Sequence, residues 1–132
     1  MNFSYRGRFS CLLLTVVAGV SLFWGCAALK PQPKPLAAVV VHISEEYANV
    51  NTDLGEDRLA SIGIKHGTLF TATYHGHGIE VLLGSSYSDV PKGDWIAQIE
   101  EDGNMQLAIS FGHAAIELGC AVGDTLFVHA PK

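Results

Sequence analysis

The stretch Ser86–Gly123 most constrains the fold, because short apolar runs alternate in it with turn residues at close intervals. It reads as strand, tight turn, strand, glycine-bounded loop and short helix. Pro91-Lys92-Gly93-Asp94 is a strong turn, Trp95–Ile99 alternates apolar and polar side chains, and Asp102-Gly103-Asn104 turns the chain into Met105–Ile109. After Phe111-Gly112, residues His113–Leu118 form the one convincing short helix, with Gly119 placed as its C-cap.

The rest of the body follows the same pattern. Leu36–Ile43 is a strand by its β-branched centre, and the consecutive Val39, Val40 and Val41 favour a place buried on both faces. Tyr47–Leu54 is polar and Asn-rich and reads as a loop or short irregular strand, and Asp57–Ile62 can supply a turn of helix. Thr68–Tyr74 and Ile79–Leu83 pair as a hairpin across His75-Gly76-His77-Gly78, and Thr125–His129 is a last strand after Gly123-Asp124. Five or six short strands joined by tight turns predict an all-β fold: a small antiparallel β-barrel with one short helix, preceded by an N-terminal signal segment.

That signal segment is read from residues 1–26. Arg6 and Arg8 form a basic start, and Cys11–Trp24 is an almost unbroken apolar run ending at Gly25-Cys26-Ala27-Ala28. Gly25-Cys26 resembles a lipoprotein processing site, which makes Cys26 the candidate lipidation residue. Ordinary cleavage after Ala28 and an uncleaved anchor are the alternatives. Residues 27–37, with Pro31, Pro33 and Pro35, read as an extended tether or a plain leader, and residues 38–132 as the barrel domain. The expected location is the bacterial cell envelope, lipid-anchored to a membrane, or else a secreted or periplasmic space.

From Ala27 onward 6 basic residues face 13 acidic ones, a balance of minus 7 that gives nucleic acid no basic face to neutralise its phosphates. Cys11 and Cys26 belong to the signal segment, which leaves Cys120 alone among apolar neighbours, read as buried and unable to form an intrachain disulfide. His75 and His77 make half a metal site at most and are better read as a surface turn. Glu45, Glu46, Asp53, Glu56 and Asp57 lack calcium-loop spacing and read as a solvated acidic face. Trp95, Tyr74 and Tyr87 are assigned mainly to the barrel core or its ends, with an aromatic binding platform as the alternative.

Several spacings together carry a resemblance. Tyr87, then Val90-Pro91 and Gly93; Asp102-Gly103; Met105–Ile109; Gly112-His113-Ala114-Ala115; Leu118-Gly119; and Val122-Gly123-Asp124 are similar to the C-terminal β-barrel of the S-adenosylmethionine hydroxide adenosyltransferases, which include fluorinating and chlorinating enzymes. Upstream, Glu45–Leu54 looks like a diverged form of that family's acidic residue, Phe-Gly-Asn and Thr-Asn-Ile segment, so the likeness spans roughly residues 39–129. The resemblance implies a trimer in which the barrel of one subunit contacts the adenine of a cofactor gripped by a neighbour's N-terminal catalytic domain. It places Tyr47, Asn49, Phe111, His113, Ala114 and Ala115 on the cofactor-binding side. Ala48 stands for the family's glycine, Asp53 for its second asparagine and His113 for the asparagine of Gly-Asn-Ala-Ala. Independently, a small Gly-Xaa-Ala-Ala loop opening a helix can offer backbone N–H groups to a purine edge or an anion, or can be small only for packing.

No catalytic residue is assigned, because no nucleophile is placed for His113 and the sequence carries no counterpart of the catalytic domain. Two functions compete. The first is a non-catalytic, exported or lipid-anchored barrel that binds or supports something, with no resident cofactor beyond residual adenosine or S-adenosylmethionine binding, working with a protein partner or as a homotrimer. The second is the adenosine-binding half of a two-chain adenosyltransferase completed by a separate N-terminal-domain protein. An independent hydrolase or metal enzyme has only isolated histidines and carboxylates behind it.

Overall fold

The structure is a computed structural model that describes residues 29–132. The signal reading of residues 1–26, with Cys26, and the first residues of the tether lie outside the described residues. Pro31–Pro35 are exposed and without regular structure, and the first strand, β1 (Leu36–Ile43), already takes in Leu36 and Ala37. It is followed by β2 (Val50–Gly55), α1 (Glu56–Ser61), β3 (Leu69–Tyr74), β4 (His77–Leu83), a 3₁₀ turn (Tyr87–Asp89), β5 (Trp95–Ile99), β6 (Asn104–Ile109), α2 (Ala114–Leu118) and β7 (Thr125–His129). The strands close into a barrel in the order β1-β2-β6-β5-β4-β3-β7.

Several sequence-based expectations need correction. There are seven strands, because the polar Asn51 and Asp53 face outward on β2 while Val50, Thr52 and Leu54 are buried on its inner face. A second helix, α1, also forms and buries Leu59. The barrel is not wholly antiparallel: β4 and β5 pair in parallel, with Val81 opposite Trp95 and Leu83 opposite Ala97. Parallel neighbours cannot be joined by a hairpin, so the chain from Gly84 to Asp94 has to return along the barrel as a crossover. Val39, Val40 and Val41 are not buried together either. β1 pairs on both edges, yet Val41 points outward and is half exposed while Val40 is buried.

Inward side chains fill the barrel in one cluster, among them Val40, Leu54, Phe70, Val81, Leu107, Leu126 and Val128. Each such aliphatic side chain fully removed from water stabilises the fold by about 1.5–3 kcal/mol. The strand directions leave two open ends, and a short helix closes each. Between β2 and β3, α1 and the turn after it bring Leu59 and Ile64 into the core; between β6 and β7, α2 brings in Ala114 and Ala115. Gly119 ends α2 at φ 69°, the left-handed C-cap expected from the sequence.

Strand β6 is unusual in being buried on both faces, from Met105 through Ala108. Met105 and Leu107 belong to the inner cluster, while Gln106 and Ala108 lie on the outside of the barrel wall. The Gly84–Asp94 crossover covers that outer face. A side chain at Gly84 would meet the buried Ile96 at 3.0 Å and Asp89 at 2.8 Å, and Tyr87 reaches Gln106. A polar network is thereby trapped between wall and crossover.

Candidate functional site

Asn49 is the last residue of the loop joining β1 and β2. Ser44 closes that loop: its N–H donates to the Asn49 carbonyl at 3.0 Å, and its Oγ accepts from the Asn49 N–H at 2.9 Å. Ala48 adopts φ 50° to make the corner, and its carbonyl accepts from the Ala115 N–H of α2 at 2.8 Å. The loop and the helix are thus joined directly.

Buried Asn49 sends its Nδ2 to Tyr87 Oη at 3.0 Å and to Gln106 Oε1 at 3.3 Å. Tyr87 Oη also donates to Gln106 Oε1 at 3.2 Å, and Gln106 Nε2 donates to Asn51 Oδ1 at 3.3 Å. Both Asn49 amide protons are engaged. Its Oδ1 accepts nothing among the described residues and is not closed off from solvent. Asn49 lines a cavity of about 530 Å³ bounded also by Glu46, Tyr47, Tyr87, Ile109, Phe111, Gly112 and His113.

The elements that aim these groups are legible locally. Tyr87 begins a 3₁₀ turn capped at Ser86, whose Oγ accepts from the Ser88 N–H, and Asp89 Oδ2 accepts from the N–H groups of Ser85 and Ser86 at 2.8 and 3.1 Å. Those two backbone bonds, the Ser85 one foremost, hold the Asp89 carboxyl below its usual range. Phe111 stands at φ 58° and 84% exposed, with Lys92 Nζ 4.9 Å from its ring centroid. Gly112 cannot be larger, since a Cβ there would lie 2.5 Å from Ile109. The Glu46 carboxylate, hydrogen-bonded to the Tyr47 hydroxyl, raises that hydroxyl above its ordinary value.

Of the six residues named from the sequence, Tyr47, Asn49, Phe111 and His113 meet at this one cavity. Ala114 and Ala115 lie behind it, buried in the core. The Ala115 N–H is bonded to Ala48, so it is not available to a purine edge or an anion; smallness here serves packing. His113 is exposed at the N-cap of α2 and makes no side-chain cap bond. Tyr87, assigned to the core or its ends, belongs instead to the cavity. Sequence reasoning missed Gln106 and Asn51; the available signal was one polar residue inside the apolar run Met105–Ala108, opposite alternating Asn49 and Asn51.

Elsewhere, Cys120 is buried, which pushes its thiol up, and Asp53 Oδ1 accepts from the Val39 N–H at 2.8 Å beside the β1 bulge. Among the described residues no group of three or more His, Cys, Asp or Glu is arranged to hold a metal ion.

With this geometry in hand, comparison with known families is decisive. Residues 38–127 match the SAM hydroxide adenosyltransferase C-terminal domain. The chain belongs to that family. The part matched is the family's C-terminal domain. The crystal structure of an uncharacterized conserved protein from Thermotoga maritima is similar with a TM-score of 0.67 at 16% identity, covering 76% of this chain and 40% of that one. A conserved hypothetical protein from Thermus thermophilus gives 0.51 at 21% identity, covering 76% of this chain and 37% of the other. Both likenesses show the fold alone, and the chain spans about two fifths of those proteins' length. No curated protein matches the chain.

Proposed function

We propose that this adenosyltransferase-type barrel is a non-catalytic binding module, exported and held at the bacterial cell envelope by a lipid on Cys26, whose Asn49 cavity takes an adenosine-like ring. The observation that carries the binding part is the convergence of Tyr47, Asn49, Phe111 and His113 on one cavity, with the Asn49 Nδ2 held by Tyr87 and Gln106 so that its acceptor is the end left for a ligand. A carbonyl acceptor beside exposed aromatic faces suits a flat heterocycle, which stacks on the rings and bonds through its edge. The export part rests on the basic start, the apolar run and Gly25-Cys26 in the sequence.

A second reading, half of a two-chain adenosyltransferase, is favoured by the cavity's position at the surface, where another chain could complete it. A trimer of this chain or a separate protein partner would serve equally as that cover. Export weighs against the enzyme, since S-adenosylmethionine is a cytoplasmic metabolite.

Calorimetry with the whole chain in mild detergent tests the binding. Adenosine or S-adenosylmethionine is expected to bind saturably, and Asn49→Ala to weaken binding by roughly tenfold or more with the circular dichroism unchanged, the loss of one buried hydrogen bond to the ligand. Equal binding by the variant, or none at millimolar ligand, would contradict it. For the anchor, metabolic labelling with a fatty acid is expected to mark the wild type and not Cys26→Ala; an unlabelled wild type would refute the lipid.

A further inference from the structure

The geometry points to Gln106 as the residue that sets the hydrogen-bond polarity of the cavity, and so to ligands that donate from the ring edge, heterocycles carrying an exocyclic amino group. This inference rests on the reading of the cavity as a nucleoside site and narrows it.

An amide side chain has one accepting and one donating end, and which end faces a ligand is set by what holds the other. Gln106 is 8% exposed, beneath the crossover on the outer face of β6. Its Nε2 donates to Asn51 Oδ1, its cross-strand partner, at 3.3 Å. Its Oε1 therefore points the other way, where it accepts from Asn49 Nδ2 at 3.3 Å and from Tyr87 Oη at 3.2 Å. With its second Nδ2 proton on Tyr87 Oη at 3.0 Å, Asn49 has only an acceptor left for the cavity. Turning the Asn49 amide over alone would set two carbonyl oxygens against each other out of water, with no proton between them. Turning the Gln106 amide over would carry Asn49 with it and present a donor instead. Gln106 touches no ligand in this scheme; it is a positioning residue acting through Asn49.

The consequence is discrimination between two nucleosides that differ at C6 and, with it, at N1: adenosine has an amino group beside an accepting N1, inosine a carbonyl beside an N1–H. Adenosine brings an amino group to the Asn49 acceptor, whereas inosine brings a carbonyl oxygen and leaves two acceptors facing. The unaltered chain is expected to bind adenosine roughly 10- to 100-fold more tightly than inosine, since a polar group left unpaired at a built site is rejected strongly.

The test is calorimetry of both nucleosides on the whole chain, on Gln106→Met and on Gln106→Glu, with thermal melts to establish folding. In Gln106→Met the length is kept and the acceptor removed, so Asn49 is released to turn either end outward. The adenosine-to-inosine affinity ratio is expected to fall toward one. Gln106→Glu offers only acceptors to Asn49 Nδ2 and Tyr87 Oη, and the cross-strand neighbour Gln98 has a buried Nε2 without a partner. That variant is expected to keep the ratio, which a loss of packing at this position would not explain. If both nucleosides bind the unaltered chain equally, if inosine is preferred, or if the ratio survives in folded Gln106→Met, the role of Gln106 is overturned while the nucleoside site stands. Binding of neither nucleoside overturns the inference and the nucleoside reading beneath it. Should Gln106→Met fail to fold, the Gln106→Glu ratio decides, and its collapse overturns the proposal.

Discussion

Ala48 holds φ 50° at the corner that aims Asn49, a conformation that costs an L-residue roughly 1–2 kcal/mol and glycine almost nothing. The glycine found in the family's Phe-Gly-Asn segment is the unstrained residue for this corner. Ala48→Gly is expected to stabilise the fold by about 0.5–1 kcal/mol after glycine's larger unfolded-state entropy is subtracted, raising the melting midpoint by a few degrees. A lower midpoint in differential scanning calorimetry would mean that the corner does not hold this geometry. Strain of this kind recurs at Phe111, φ 58°, which lines the same cavity as Asn49. At this scale the sequence yielded the residues that its motif carries, Tyr47, Asn49, Phe111 and His113. It could not yield Gln106 and Asn51, because a polar strand residue becomes part of a site only when a distant segment covers it. The crossover that does so is nineteen positions upstream of Gln106 at Tyr87.

Elements joined by single side chains carry the pH response. Tyr74 at the end of β3 donates its hydroxyl to Asp124 Oδ2 at 2.7 Å, just before β7, and the Ala121 N–H donates to the same oxygen at 2.8 Å. The Tyr74 bond, then the Ala121 one, hold the Asp124 carboxyl below its usual value, and Asp124 together with burial pushes Tyr74 up to about 12. A tyrosine whose pKa is raised on folding contributes stability that is whole below its unfolded value near 10 and vanishes as pH climbs through about 12. Asp124 has the opposite sense, stabilising above the ordinary carboxylate range and losing its contribution as pH falls through its lowered value. Urea midpoints followed from pH 9 to 12 are expected to fall for the wild type and to flatten in Tyr74→Phe. Part of the slope remains because the buried Cys120 thiol, also pushed up, has the same sign. An identical alkaline slope in Tyr74→Phe would refute the assignment. The elements were largely legible: β3, β5, β6, β7 and the Gly119 cap of α2 follow from alternation and turn residues. The existence of β2 as a full strand and the parallel β4–β5 pairing were not, since outward polar residues blur one and long-range pairing alone decides the other.

At the scale of the molecule, closure of seven strands leaves no bare sheet edge, and the two short helices seal the ends, so binding has to occur on the outside of the wall or at its rim. Two cavities of about 530 Å³ lie there. One is the Asn49 cavity; the other runs along β3 and β7 beside Thr71, Thr73, Glu80 and His129. Size alone does not choose between them, and the choice of the Asn49 cavity rests on its fixed acceptor and aromatic rim. The matched family domain sets the fold, while the proposed ligand is argued from side chains that the crossover brings together. The measurement that bears most directly on this account is an adenosine titration of the isotopically labelled whole chain, followed by two-dimensional ¹⁵N–¹H NMR. Saturating shifts at the Asn49 side-chain amide and at the backbone amides of Tyr87, Gly112 and His113 are expected, with Thr71, Thr73 and His129 undisturbed. Shifts confined to the β3–β7 cavity, or none at either, would contradict it.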